Sequence, residues 1–200
     1  MGNFIFEKLK WLNKKPGCNV LEDKIIIKTI PDTDFWRGTY YGLTYDNAPL
    51  VYFEEEKKTW TLLCKVAFSS KIYFDQCGVA IYQDSDNWMK SGIEFQANGF
   101  QQLFSVVTNR GFSDWAMVNY DKSTQEMYYR LSRRNEDFLL EYSENGQNFE
   151  MMRMFHLDNA NEAVKAGFFA SSPGNSTFEA TFTSIQLIEC VWDAHNSERF

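Results

Sequence analysis

The sequence predicts an all-β protein in which two antiparallel sheets pack face to face as a jelly-roll sandwich. Roughly a dozen short runs alternate apolar and polar residues, the pattern of strands that bury one face. Turn signals such as Asn98-Gly99 and Asn145-Gly146 separate these runs. No long helical period lies between them, whereas a parallel sheet needs helices for its crossovers. A two-sheet antiparallel sandwich therefore fits the pattern best.

The first residues predict a different element from the rest of the chain. Residues 1–20 are expected to form a short amphipathic helix or arm that packs on a single sandwich domain of residues 21–200. Lysines and apolar residues follow one another in this segment with helical spacing, and Pro16-Gly17 would end the helix.

The expected strands then follow in chain order. They cover residues 21–30, 50–54, 59–68, 77–81, 87–96, 101–109, 114–120, 125–134, 137–144, 148–156, 163–171 and 177–190. The run 59–68 alternates most clearly, since Trp60, Leu62, Cys64 and Val66 would all face one side.

Composition and charge exclude several classes of function. The formal net charge is −7, which argues against a nucleic-acid partner, because such proteins usually present a basic surface. No apolar run approaches the ~20 residues of a membrane span, and no signal peptide is visible. The four cysteines form no C-x-x-C pair. We therefore expect a cytoplasmic protein with no membrane partner, no cofactor and no metal.

A short basic cluster is interpreted as a solvated end of a hairpin. Arg130, Arg133 and Arg134 are followed at once by Glu136 and Asp137, so the positive charge is local.

The run 87–96 carries the most informative pattern. Trp88, Lys90 and Glu94 would share one face of the strand, while Met89 and Ile93 would face the core. An aromatic ring, a cation and a carboxyl group in one row indicate either a ligand-binding groove or an internal network of paired charges.

Further candidates come from other strands. Tyr128 and Arg130 lie on one of them, and Asp114 and Arg153 are charged residues in otherwise apolar runs. An internal network would pair Glu94 with Lys90 or Arg130, since a charge in such a setting is usually paired.

Catalytic patterns are weaker. Glu54 and Glu56 have a spacing that would place two carboxyl groups on one face, but Lys57-Lys58 follows them and favours a charged strand end. Glu94 has no second acid on its own strand. The segment Asp84-x-Asp86-Asn87 is interpreted as a turn rather than a calcium loop.

A series of short motifs gives the chain a resemblance to a known family. In chain order they are Asp32-Thr-Asp-Phe-Trp36, Asp84-x-Asp-Asn-Trp88-x-Lys90-x-Gly92-x-Glu94, Ser105-Val-Val-Thr108, Ser113-Asp-Trp115, Arg130-Leu-x-Arg133, Tyr142-Ser-x-Asn-Gly146 and Arg153-Met-Phe155. Together, over roughly residues 20–190, they resemble the regulation-of-enolase-type domain family of unknown function. That family is similar to the concanavalin A-like lectin/glucanase superfamily of jelly-roll sandwiches with a concave face.

The resemblance implies a fold and several candidate positions. The candidate ligand-binding residues are Trp88, Lys90, Glu94, Asp114, Trp115, Tyr128, Arg130 and Arg153. The family often has Trp-Leu-Arg where this chain has Tyr128-Tyr129-Arg130, so a stacking role at position 128 would fall to a smaller ring. Asp114 and Trp115 are neighbours in a strand and would both reach one ligand only at a bulge or a strand end.

Three hypotheses for function follow. The first is a non-catalytic protein that binds a carbohydrate-like ligand or glycan on its concave face, with Trp88 and Tyr128 stacking on the ligand. The second is a regulatory protein that acts through a metabolic enzyme partner. The third is a glycoside hydrolase or lyase that uses Glu94 and an acid from another strand.

Overall fold

The computed structural model describes residues 5–40, 42–96, 100–121 and 123–193, and two seven-stranded antiparallel sheets dominate this part of the chain. The first sheet contains, in spatial order, β1 (Lys10–Leu12), β6 (Leu50–Glu55), β15 (Val164–Ser171), β8 (Gln76–Asp84), β9 (Asn87–Phe95), β10 (Gln101–Asn109) and β11 (Phe112–Tyr120). The second contains β14 (Glu150–His156), β13 (Asp137–Ser143), β12 (Glu126–Arg134), β7 (Thr59–Phe68), β16 (Glu179–Ile188), β3 (Ile25–Lys28) and β2 (Asn19–Val20). A separate ribbon pairs β4 (Phe35–Arg37) with β5 (Thr44–Asp46). The predicted all-β sandwich is confirmed.

The N-terminal segment is an arm with one short helical turn. A 3-10 helix covers Phe6–Lys8, and the backbone becomes extended at Leu9. Residues 10–12 then pair with β6, so the arm adds an edge strand to the first sheet. Backbone pairing from Lys10 onward limits the helical part of this arm to one turn. Among the residues described, no helix is long and apolar enough to cross a membrane.

Alternating side chains build the core between the two sheets. In β7, Trp60, Leu62, Cys64 and Val66 are all buried there, as their spacing predicted. Contacts between the sheets are direct, since the rings of Phe168 in β15 and Phe182 in β16 have centroids 5.1 Å apart. Burial of one such side chain contributes about 2 kcal/mol.

The first sheet also buries much of its outer face, and this layer positions the functional site. Met89 and Ile93 of β9 face the core, so the even-numbered residues of that strand face outward. Trp88 packs there in a second apolar cluster with Phe35 of the ribbon, their ring centroids 5.8 Å apart. The ribbon β4–β5 therefore covers part of this face.

One of the two predicted Asn-Gly turns lies within the described residues. Asn145-Gly146 lies between β13 and β14, where Gly146 has a φ of +71°, a conformation that favours glycine. Asn98-Gly99 lies outside the described residues.

The interpretation of the basic cluster as a solvated hairpin end is wrong for Arg133. This side chain is fully buried because its position in β12 faces the core, like Leu131 two residues earlier. Its guanidinium group donates hydrogen bonds to backbone carbonyls of three loops, at Glu55, Lys57, Asn135, Ala160 and Glu162, over 2.5 to 3.3 Å. Arg133 therefore ties these loops to one end of the sandwich.

Replacing Arg133 by methionine is expected to destabilise the fold strongly. The Arg133→Met change keeps an aliphatic side chain but removes the five hydrogen bonds to these carbonyls, of which that of Ala160 is buried, and this should lower the free energy of unfolding by about 3 kcal/mol. Urea denaturation followed by tryptophan fluorescence measures this loss. Arg110→Met is the matched control, because the Arg110 side chain is 84% exposed and a surface ion pair contributes at most about 1 kcal/mol. Equal losses in both variants would contradict the role of Arg133.

Candidate functional site

A pocket of about 510 Å³ opens on the outer face of the first sheet. Its floor is formed by neighbouring strands β8, β9 and β10. Its walls come from the ribbon β4–β5, from the loops before β8 and before β16, and from β11. The lining residues are Asp34, Trp36, Leu43, Tyr45, Ile72, Tyr73, Phe74, Gln76, Lys90, Glu94, Phe104, Val106, Trp115, Pro173 and Gly174.

Strand alternation places the two charged residues of β9 on the floor. Lys90 and Glu94 are four residues apart, so both side chains face outward. Gly92 lies between them and pairs with Gly78 of β8. A Cβ atom at Gly92 would lie 1.9 Å from the carbonyl oxygen of Cys77, so only glycine fits the close approach of these two strands.

The charge of Lys90 is compensated within the pocket. Its side chain is 3% exposed, and Nζ donates to Oδ1 of Asp34 at 2.5 Å and to Oε1 of Gln76 at 2.9 Å. The same Asp34 oxygen accepts a hydrogen bond from the backbone amide of Phe35 at 2.8 Å. This buried ion pair joins the ribbon to the sheet.

Glu94 is the second acid of the pocket and lacks such a partner. The residue is 3% exposed, and Oε1 accepts a hydrogen bond from Nε2 of Gln96 at 2.5 Å. Burial raises the pKa of this carboxyl to about 8; the charge of Asp34 adds to the rise, while Lys90 and the Gln96 bond oppose it. At neutral pH the Glu94 carboxyl is therefore mainly protonated.

Aromatic rings form much of the wall. The indoles of Trp36 in β4 and Trp115 in β11 meet edge to face, with centroids 6.1 Å apart and an interplanar angle of 84°. Across the loop before β8, the rings of Tyr73 and Phe74 have centroids 3.7 Å apart. Tyr45 of β5 completes this aromatic lining. A ligand in the pocket would contact these rings, and on the floor it would contact both polar side chains and the apolar Phe104 and Val106.

Asp75 fixes the two loops that complete the wall. Its fully buried carboxylate accepts hydrogen bonds from the backbone amides of Lys71 and Ile72, at 2.8 and 3.1 Å. It also accepts bonds from the hydroxyls of Ser172 and Ser176, at 2.7 and 2.9 Å. The loop before β8 and the loop before β16 are thus held by one side chain.

Three of the residues predicted for the site come together in the pocket. Lys90, Glu94 and Trp115 all line it. Trp88 lies on the same face of β9, but it is 2% exposed and packs beneath Phe35 instead of lining the pocket.

The structure places the other predicted residues elsewhere. Asp114 and Trp115 lie in regularly paired backbone, so they face opposite sides of β11. Asp114 forms an ion pair with Arg153 of β14, Oδ2 to Nη2 3.3 Å, and Arg153 also donates to the Ser105 hydroxyl at 3.2 Å. These contacts link the two sheets near one edge.

Tyr128 and Arg130 belong to the second sheet. They face its outer side, because the residues between and beside them in β12 point into the core. Arg130 makes two hydrogen bonds of 2.6 Å to Glu141 and stacks over Phe149. The predicted pairing of Glu94 with Arg130 is therefore wrong, since alternation within a strand does not reveal the sheet to which the strand belongs.

The pocket residues of the ribbon and the loops were not predicted from the sequence. Asp34 and Trp36 lie within the motif Asp32-Thr-Asp-Phe-Trp36, which drew attention to the segment but not to a role. Tyr73, which lines the pocket, and Asp75, which holds its loops, lie in a segment with no recognisable motif, and only the fold gives them these positions.

The weaker candidates form local structures. Glu54 pairs with Lys10 of β1 at 2.8 Å on the surface. Asp84 accepts hydrogen bonds from the amide of Asp86 and the side chain of Asn87, so this segment forms the predicted turn between β8 and β9.

Replacing Glu94 by glutamine is expected to change how stability depends on pH. The pKa of this carboxyl is about 8 in the folded protein, against about 4.3 in an unfolded chain. Between these values unfolding releases a proton, so the free energy of unfolding of the wild type falls as pH rises. The stability of Glu94→Gln relative to the wild type should therefore increase by on the order of 1 kcal/mol per pH unit.

Urea denaturation at several pH values between about 5 and about 8 measures this difference. Glu56→Gln supplies the control, because it makes the same chemical change at an exposed position outside the pocket. A flat profile for Glu94→Gln would show that the Glu94 carboxyl is ionised in the folded protein.

Comparison with known proteins agrees with the sandwich architecture. A relative from Saccharomyces cerevisiae (strain ATCC 204508 / S288c), named Regulation of enolase protein 1, is 28% identical over 177 residues, which is 88% of this chain and 87% of the relative. A crystal structure of a functionally unknown protein from Saccharomyces cerevisiae superimposes with a TM-score of 0.86 at 26% identity, covering 94% of this chain and 100% of that one.

More distant similarity shows the fold alone. The legume lectin-like domain from Entamoeba histolytica has a TM-score of 0.59 at 10% identity, covering 92% of this chain and 90% of that one. This neighbour confirms the lectin-like sandwich. Residues 11–190 match the family model described as Protein of unknown function (DUF1349). The chain belongs to the DUF1349 family.

Proposed function

We propose that this protein is a cytoplasmic binding protein that holds a small carbohydrate-like ligand in the pocket without catalysing a reaction on it. The observation that carries the proposal is the combination of aromatic walls, which include Trp36 and Trp115, with three polar residues on the floor, Lys90, Gln76 and Glu94. The volume of about 510 Å³ lies in the range of small-molecule sites.

A sugar ring matches both surfaces of this pocket. Its C–H faces are apolar and suit contact with an indole such as that of Trp115. Its hydroxyl groups lie around the edge and both donate and accept hydrogen bonds, as the Glu94 carboxyl and the Gln76 amide also do. A ligand of this shape can therefore satisfy the floor and fill the space between the walls together.

Binding without catalysis is favoured by the state of Asp34, the other acid of the pocket. Hydrolysis of a glycosidic bond needs one carboxyl group as acid and another as base or nucleophile. Glu94 has the raised pKa of an acid, but Asp34 is held by the Lys90 ammonium group and by the amide of Phe35. The hydrolase alternative would use this same pair of residues.

Truncating Trp115 is expected to weaken sugar binding. The Trp115→Ala change removes one ring face, which should lower affinity by about tenfold. Isothermal titration calorimetry with a panel of neutral mono- and oligosaccharides measures this. Val118→Ala on the same strand is the matched control, because Val118 is 59% exposed and lies outside the pocket lining.

The same titrations separate the hypotheses. Failure of every sugar in the panel to bind would contradict the proposal. Release of a shorter sugar product would instead support the hydrolase that uses Glu94 and Asp34.

A second candidate function is regulation through a metabolic enzyme. The relative named Regulation of enolase protein 1 aligns with most of this chain, and that likeness in length and sequence favours a shared role. If so, purified enolase should bind this protein in a biolayer interferometry assay, and its kcat/KM should change when the protein is added. Unchanged kinetics together with no binding would exclude direct action on enolase.

A further inference from the structure

The charged residues on the floor of the pocket differ in whether they have an ion-pair partner. Lys90 is paired with Asp34 and also bound by Gln76, so its positive charge is already compensated. Glu94 is left as an acid without a counter-ion. Among the described residues, the amide of Gln96 is the one group that donates a hydrogen bond to it.

This carboxyl group is buried at a place that a ligand can reach. Glu94 is 3% exposed and lines the pocket beside Gln76, its partner in the pairing of β8 with β9. A buried carboxylate is stable only when a positive charge or several donors compensate it. Lys90 lowers the pKa of this carboxyl through its charge, but its Nζ donates to Asp34 and Gln76, so no cation of the described residues is in direct contact with Glu94.

The aromatic walls favour the same charge. A cation near the face of an indole or phenol ring is attracted by the ring quadrupole, and the attraction increases when water is excluded. Trp36, Tyr45, Tyr73 and Trp115 all line the pocket that contains Glu94. An acid beneath aromatic walls is a complementary environment for an ammonium group.

We propose that the pocket selects sugars that carry a protonated amino group, and that this ammonium group binds against the Glu94 carboxylate. The inference rests on the proposed function, because it specifies which class of carbohydrate the pocket holds. The sugar ring would contact the indole walls, and its hydroxyl groups would reach Gln76 and the Lys90–Asp34 pair.

Binding of an ammonium group requires the Glu94 carboxyl to lose its proton. The ionisable groups that share the pocket with Glu94 are Lys90, Asp34, Tyr45 and Tyr73. With the pKa of Glu94 at about 8, an ammonium group must displace a proton from this carboxyl below that pH. Affinity for an amino sugar should therefore rise by nearly tenfold per pH unit below about pH 7. Affinity for a neutral sugar should stay constant over the same interval, because no proton is displaced.

The experiment compares sugars that differ at one position. The three monosaccharides share a ring, but glucosamine has a charged amino group, whereas N-acetylglucosamine and glucose are neutral. Chitosan oligomers and cello-oligosaccharides make the same comparison for longer ligands, since only the chitosan oligomers carry charged amino groups. Calorimetric titrations at about pH 6 and about pH 7 keep the amine largely protonated. The wild type, Glu94→Gln and the control Glu144→Gln are tested, since Glu144 is exposed and outside this pocket.

The expected result is preferential binding of amino sugars that depends on Glu94. The wild type and Glu144→Gln should bind the amino sugar at least about tenfold more tightly than the neutral sugars at pH 7. Glu94→Gln should lose this preference for the amino sugar together with the dependence of its affinity on pH.

Each other outcome overturns a different statement. Equal affinity for charged and neutral sugars in the wild type would overturn the amino-sugar inference and leave the proposed function intact. A preference for amino sugars that survives in Glu94→Gln would overturn the role of Glu94. Binding of no sugar at either pH would overturn both proposals.

Discussion

The ion pair between Lys90 and Asp34 is the interaction on which the pocket depends. It joins the floor of the first sheet to the ribbon β4–β5, which carries Trp36 and Tyr45 into the wall. A lysine whose side chain is 3% exposed would be unstable without this acid, so the ribbon and the charged strand require each other. Within the described part of the chain, Lys90 is the one positively charged residue that lines the pocket, and it is paired with Asp34. Glu94 therefore has no counter-ion in direct contact.

Asp75 has the corresponding role on the other side of the pocket. Its carboxylate collects four hydrogen bonds from two loops that are almost a hundred residues apart in the chain. Loops are usually the most mobile parts of a sandwich, but a buried acid with all these donors restricts them. The aromatic groups at positions 73 and 74 are thereby held at a fixed distance from the floor. Because these loops are already fixed, the protein loses less conformational entropy when a ligand binds.

The sequence predicted what depends on local pattern and missed what depends on long-range contact. The bounds of β7 and β10 agree with the expected runs 59–68 and 101–109, and the alternation in β9 correctly separated Met89 and Ile93 from Lys90 and Glu94. The ribbon was missed because three-residue strands are too short to show a period. Arg133 was misplaced because the charge of a residue argues for solvent, while its register in β12 places it in the core. Tyr128 and Arg130 were grouped with Glu94 because a sequence does not state which sheet contains a strand.

The site and the fold place opposite demands on Glu94. For the fold alone, a glutamine would serve better at neutral pH, because burial makes the ionised carboxyl unfavourable and raises its pKa. Under the proposed function, an acid at this position contributes when a ligand enters the pocket and stabilises the charge of the carboxylate. A residue that costs stability in the empty protein, in a pocket whose walls are held by Asp34 and Asp75, is consistent with the proposed role in binding. Trp88 is equally buried on the same face, but no such conflict exists there. Its burial against Phe35 stabilises the fold without any ligand.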